Sequence, residues 1–123
     1  MANILLVEDN ESLRLAYSNF LSQEGHQVFT ASNVDDALAY LASSTPNIIL
    51  LDMLLPKKNG LDLLKEYDVI NTHPDVKVVA FSNYTEIQVQ TEAQRLGASL
   101  YLTKSLTDPK ELVDTINQLL TKE

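Results

Sequence analysis

Four apolar residues in a row, Ile48-Ile49-Leu50-Leu51, stop abruptly at Asp52. A strand wetted on one side alternates apolar with polar residues, and this run has no polar face. It suits the centre of a parallel sheet covered on both sides. Parallel neighbours must be joined by long crossovers, most often helices. The rest of the chain supplies them. Ile4 to Val7 reads as a first strand, and the helix after it carries Leu13, Ala16, Tyr17, Phe20 and Leu21 on one face and stops at Gly25. Val28 to Ala31 is a second strand. Asn33 caps a helix with Ala37, Leu38 and Leu41 inward, which Pro46 ends.

Beyond the central run, Gly60 precedes a helix with Leu61, Leu64 and Ile70 inward, and Val76 to Phe81 forms a fourth strand. Thr85-Glu86-Ile87-Gln88 has the form of a capping box and opens a polar helix that ends near Gly97. Ser99 to Leu102 is a short fifth strand. Asp108 as N-cap, Pro109 at the first helical position and Glu111 start the last helix, with Leu112, Val113, Ile116, Leu119 and Leu120 on its inner face. The alternation predicts an α/β fold: a five-stranded doubly wound parallel sheet in the order 2-1-3-4-5, flavodoxin-like, with helices on both faces. At 123 residues, the chain reads as a single domain over positions 1–123.

In such a sheet a ligand binds at the carboxyl ends of strands 1 and 3, where the strand order reverses. The residues just past the strand ends are Glu8 and Asp9, then Asp52, then Ser82 and Asn83, then Thr103 and Lys104. Each has an ordinary explanation. Glu8 and Asp9 could cap the first helix, Asp52 could simply end a strand, Ser82 could serve a turn, and Lys104 could be a solvated loop charge. Their joint placement is what points to chemistry. Three crowded carboxylates resist ionising together unless a cation intervenes, and hard oxygen ligands suit Mg²⁺. Asp52 is then the natural nucleophile, since a carboxylate can form an aspartyl phosphate. Lys104 can hold one phosphoryl oxygen as a point charge while Ser82 donates to another.

The same residues resemble the response-regulator receiver domains of two-component signalling over essentially the whole chain. The resemblance is carried by Leu6-Val7-Glu8-Asp9, by Asp52 through Pro56 to Gly60, and by Ser82, Gly97-Ala98, Tyr101, Lys104 and Asp108-Pro109. It implies that Asp52 is the phosphoacceptor. It also implies that Glu8, Asp9, Asp52 and the main-chain carbonyl of Leu54 hold Mg²⁺, and that Lys104 contacts the phosphoryl group. Ser82 and Tyr101 would form the switch pair, reshaping the face made by the fourth helix, the fifth strand and the fifth helix. The implied partners are a histidine kinase or histidine phosphotransfer protein upstream and a protein target downstream, or an output domain if the chain is part of a longer protein. The domain itself is expected to be a monomer or a weak phosphorylation-dependent dimer, with no output domain within it.

Two positions depart from the family pattern. Asn83 stands where a small residue usually follows the switch hydroxyl, and Ser105 stands where a proline in a cis peptide usually follows the lysine. A cis bond before a non-proline costs roughly 3 kcal/mol, so the Lys104 loop is expected to differ from the family's. Asn83 and Tyr84 are expected to flank the approach of water to Asp52 and to gate access to it; the alternative is that the Asn83 amide itself orients the water and speeds hydrolysis.

Other classes fit less well. A flavin or nucleotide binder needs a Gly-, Ser- or Thr-rich loop after strand 1, and Glu8-Asp9-Asn10-Glu11 repels phosphate. A haloacid-dehalogenase-like phosphatase needs an aspartate two residues past its nucleophile, where Leu54 stands. A degenerate receiver acting only as a protein-binding module is disfavoured by the intact Asp52 and Lys104. The net charge of −8 repels nucleic acid and anionic lipid alike, so no direct contact with either is expected. The absence of cysteine excludes disulfide and thiolate chemistry. No basic leader follows Met1, no apolar run reaches bilayer length, and the expected compartment is the cytoplasm.

Overall fold

The computed structural model describes residues 2–83 and 86–121. Its five strands are β1 (Asn3–Val7), β2 (Gln27–Ala31), β3 (Ile48–Leu51), β4 (Lys77–Ser82) and β5 (Ala98–Thr103). They pair in parallel in the order β2-β1-β3-β4-β5, so the doubly wound arrangement expected from the sequence is the one adopted. Among the described residues six α-helices lie between and after them: α1 (Glu11–Gln23), α2 (Val34–Leu41), α3 (Gly60–Tyr67), α4 (Val69–Thr72), α5 (Ile87–Arg95) and α6 (Pro109–Thr121).

Alternation along each strand divides the apolar residues between two cores. Leu5, Val7, Ile49, Leu51, Val78 and Ala80 face one side, with α2, α3 and α5. Ile4, Leu6, Ile48, Leu50, Val79 and Phe81 face the other, with Leu21 of α1 and Leu112, Val113 and Ile116 of α6. Since β3 packs against both layers, its four residues are all buried. This is the physical content of its unbroken apolar run.

Helix starts follow capping chemistry. Asn33 Oδ1 accepts from Asp36 N–H, and Asp108 with Glu111 forms the reciprocal pair expected of a capping box. A second such box joins Asn59 and Asp62 at the start of α3. The box expected at Thr85 lies outside the described residues, and α5 begins at Ile87.

Two expectations are corrected. The helix after Gly60 does not run through to Ile70. Asp68 adopts a left-handed conformation (φ 50°) that ends α3, and α4 restarts with a new phase. Val69 therefore turns inward while Ile70 is 51% exposed. On α1 the inward stripe is narrower than the pattern implied. Leu21 is buried and Leu13 and Tyr17 are half-buried, but Ala16 and Phe20 sit on the wet flank. Among the described residues no helix is long and apolar enough to cross a membrane.

Candidate functional site

The strand ladder fixes the acidic residues before any side chain acts. Glu8 N–H donates to Ala31 O at 3.0 Å and Asp52 N–H donates to Val7 O at 3.0 Å, so both backbones continue the sheet one step past β1 and β3. Asn10, and neither Glu8 nor Asp9, is the N-cap of α1: its side chain accepts from Leu13 N–H at 3.0 Å. The side chains of the two acids are thus not used to cap the helix. Arg14 reaches back from α1 and donates to the Glu8 carbonyl at 3.0 Å, which holds the turn from below.

The loop after Asp52 is closed by contact. Gly60 N–H donates to Met53 O at 3.1 Å, and a side-chain carbon at position 60 would meet the Met53 sulfur at 2.6 Å. Glycine is needed here for close approach, and it draws the end of the loop against Met53, next to Asp52. Leu54 N–H donates to Asp52 Oδ1 at 3.0 Å, while the Leu54 side chain is 53% exposed on the rim.

Lys104 crosses from the end of β5 to the acids. It opens a 3-10 turn, Lys104–Leu106, and its Nζ donates to Asp52 Oδ2 at 3.0 Å and to Glu8 Oε1. Glu8 Oε2 accepts from Asn10 N–H at 3.1 Å, so both oxygens of this carboxylate, only 2% exposed, are bonded. Asp52 is 6% exposed and likewise bonded at both oxygens. Burial pushes the Glu8 carboxyl above its usual range, against the bonds from Lys104 and Asn10, and the Asp52 charge pushes the same way. Burial works against the Lys104 ammonium, but its bonds to Glu8 and Asp52 outweigh that and hold it above an ordinary lysine. The fold therefore favours a charged lysine between carboxylates.

Asp9 is exposed, yet one of its oxygens lies within 4.8 Å of oxygens on Glu8 and Asp52. Three carboxylates against one ammonium leave a net excess of negative charge. The oxygens are hard donors on a partly open site, and they fit Mg²⁺, which retains water and takes few protein ligands. Ser82, Asn83 and Leu54 line the same cleft. Ser82 is buried at the end of β4, and Tyr101 is half-buried on β5, packed against the core under α5. Of the residues expected at the site, Tyr84 lies outside the described residues.

Some contributors were not singled out from the sequence. Arg14 and Asn10 organise the first loop, and the Asn59–Asp62 box sets α3; Asn10 just before α1 and the Asn59-x-x-Asp62 spacing carry local signals of their roles, whereas Arg14 carries none. The Lys104–Ser105 peptide is trans, and Ser105 N–H donates to Asn83 Oδ1 at 2.8 Å. That bond joins the two positions that depart from the family pattern.

Residues 4–117 match the family model of the response regulator receiver domain. Sporulation initiation phosphotransferase F of Bacillus subtilis is 31% identical over 117 residues, 95% of this chain and 92% of that protein. The transcriptional regulatory protein CpxR of Klebsiella pneumoniae is 37% identical over 98% of this chain, which spans 50% of CpxR. Among solved structures, a CheY-like response regulator receiver domain protein from Methanospirillum hungatei superposes with a TM-score of 0.91 at 25% identity, covering 98% of this chain and 94% of that one.

Proposed function

The chain belongs to the response regulator receiver domain family, and we propose that it serves two-component signalling by accepting a phosphoryl group on Asp52. The observation that carries this reading is the placement of a buried aspartate at the end of the central strand, bonded to Lys104 at 3.0 Å and flanked by Glu8 and Asp9. The donor is a phosphohistidine on a histidine kinase or histidine phosphotransfer protein, or a small acyl phosphate. An Asp52 carboxylate oxygen attacks phosphorus, the P–O bond forms, and the P–N bond to the donor imidazole breaks. The imidazole leaves with the electron pair and is protonated.

Glu8, Asp9, Asp52 and the main-chain carbonyl of Leu54 are the groups that would hold Mg²⁺. The bound ion would supply charge compensation for the attacking and transferred oxygens. Lys104 passes one of its hydrogen bonds from a carboxylate to a phosphoryl oxygen, and Ser82 donates to another. Phosphorylation adds about −1.5 to −2 charges at this one point. The response runs through Ser82 and Tyr101 to the face of α5, β5 and α6, which a downstream protein reads. Asn83, which lines the cleft, slows the entry of water and lengthens the life of the aspartyl phosphate, and Tyr84 is expected to act with it. Replacing either, as Asn83→Ala or Tyr84→Glu, speeds phosphoryl loss.

Beryllofluoride, a phosphoryl mimic, tests the reading when added with Mg²⁺ and followed by backbone amide shifts. Changes should appear at the cleft and on the α5–β5–α6 face, and Asp52→Asn should remove them. Shifts confined to α1 and α2, or persisting in that variant, contradict it.

A further inference from the structure

The backbones of β4 and β5 pair as far as Ser82 and Thr103 and then part. Beyond that last rung, the Asn83 side chain takes over the pairing: its Oδ1 accepts from Ser105 N–H at 2.8 Å, across 22 residues of sequence. The contact needs two things at once. Position 83 must carry an acceptor on a short stem, and position 105 must carry a backbone N–H, which proline lacks. Each residue alone looks like an arbitrary substitution, whereas together they make one bond.

The location gives the bond its meaning. Asn83 directly follows Ser82, and Ser105 directly follows Lys104. The two residues that reach the cleft from β4 and β5 are therefore tied together one residue beyond each. We infer that Asn83 is a positioning residue, whose bond to Ser105 N–H holds the Lys104 loop in register with Ser82. The two donors then meet one phosphoryl group as a single unit. This inference rests on the receiver reading above. It differs from shielding, because it concerns how readily the phosphoryl group is gained, whereas shielding concerns how slowly it is lost.

The test combines amide exchange with a double-substitution cycle on the whole chain. In the wild type the Ser105 amide should exchange slowly, and Asn83→Ala should release it. The maximal rate of labelling by acetyl phosphate with Mg²⁺ should fall about three- to tenfold in that variant, the range one net hydrogen bond carries. Melting temperature should fall by no more than the few degrees one such bond carries, so the variant stays fully folded under the assay and slower labelling is not loss of the fold. Ser105→Pro removes the same bond from the other side, so the double variant should be no slower than the slower single one. Multiplying effects, an unprotected wild-type Ser105 amide, or an unchanged labelling rate in Asn83→Ala each overturn the inference. A wild type that takes no label overturns the receiver reading itself, and the bond is then judged by Ser105 exchange alone.

Discussion

Met53 and Gly60 are in contact so close that no side chain fits between them, and that contact sets the end of the loop beginning at Asp52. Gly60→Ala forces a carbon into the Met53 sulfur and backbone. It should cost about 1–3 kcal/mol in denaturant unfolding, the usual range for overpacking, and should slow phosphoryl acceptance as the loop shifts. A stability equal to wild type would show that Met53 yields freely. At this scale the sequence was legible where chemistry demands a residue type: Asp52, Lys104 and the acidic pair all converge on one cleft. It was less legible where one residue merely enables another. Asn10 and not its acidic neighbours caps α1, and the Asn83–Ser105 bond requires knowing that two loops meet. No periodicity or spacing within either loop encodes that meeting.

Helix α5 differs from its neighbour α6 in how it is held. Ala93 is its sole buried residue, with Val89 and Leu96 packed at the edge of the core. Helix α6 buries Leu112, Val113 and Ile116 and starts with a reciprocal cap. A sparsely anchored helix opens at lower free energy. Backbone amides in α5 should therefore exchange faster than those in α6 in the unmodified protein, and addition of beryllofluoride should change α5 protection more. Equal protection in the two helices would remove the physical basis for a switch there. The elements themselves were readable from apolar spacing and caps. The break at Asp68 was only weakly marked: aspartate is among the few non-glycine residues that adopt φ near 50°, but it is common elsewhere too, and the apolar pattern continues across it. That single left-handed residue reverses the roles of Val69 and Ile70.

Across the whole molecule, the sheet gathers charge at one end. Lys104 offsets part of the charge of Glu8, Asp9 and Asp52, and the remaining excess is a standing electrostatic cost. Asp52→Asn removes one charge and keeps an oxygen for the Leu54 N–H. It should raise the melting temperature in the absence of metal by a few degrees, the scale of roughly 1 kcal/mol in a domain of this size. Mg²⁺ at millimolar concentration should stabilise the wild type and do so less in the variant. A metal-independent melting temperature in the wild type would count against the metal site. The topology follows from the uninterrupted β3 run and the alternating crossovers, so the site's location was implied before its geometry was known.

The claim on which all of this turns is that Asp52 accepts one phosphoryl group. Intact mass after incubation with acetyl phosphate and Mg²⁺ tests it most directly. The wild type should gain a single phosphoryl group, dependent on Mg²⁺, and Asp52→Asn should gain none. The same gain in that variant, or none in the wild type under conditions where it is folded and metal-bound, would contradict it.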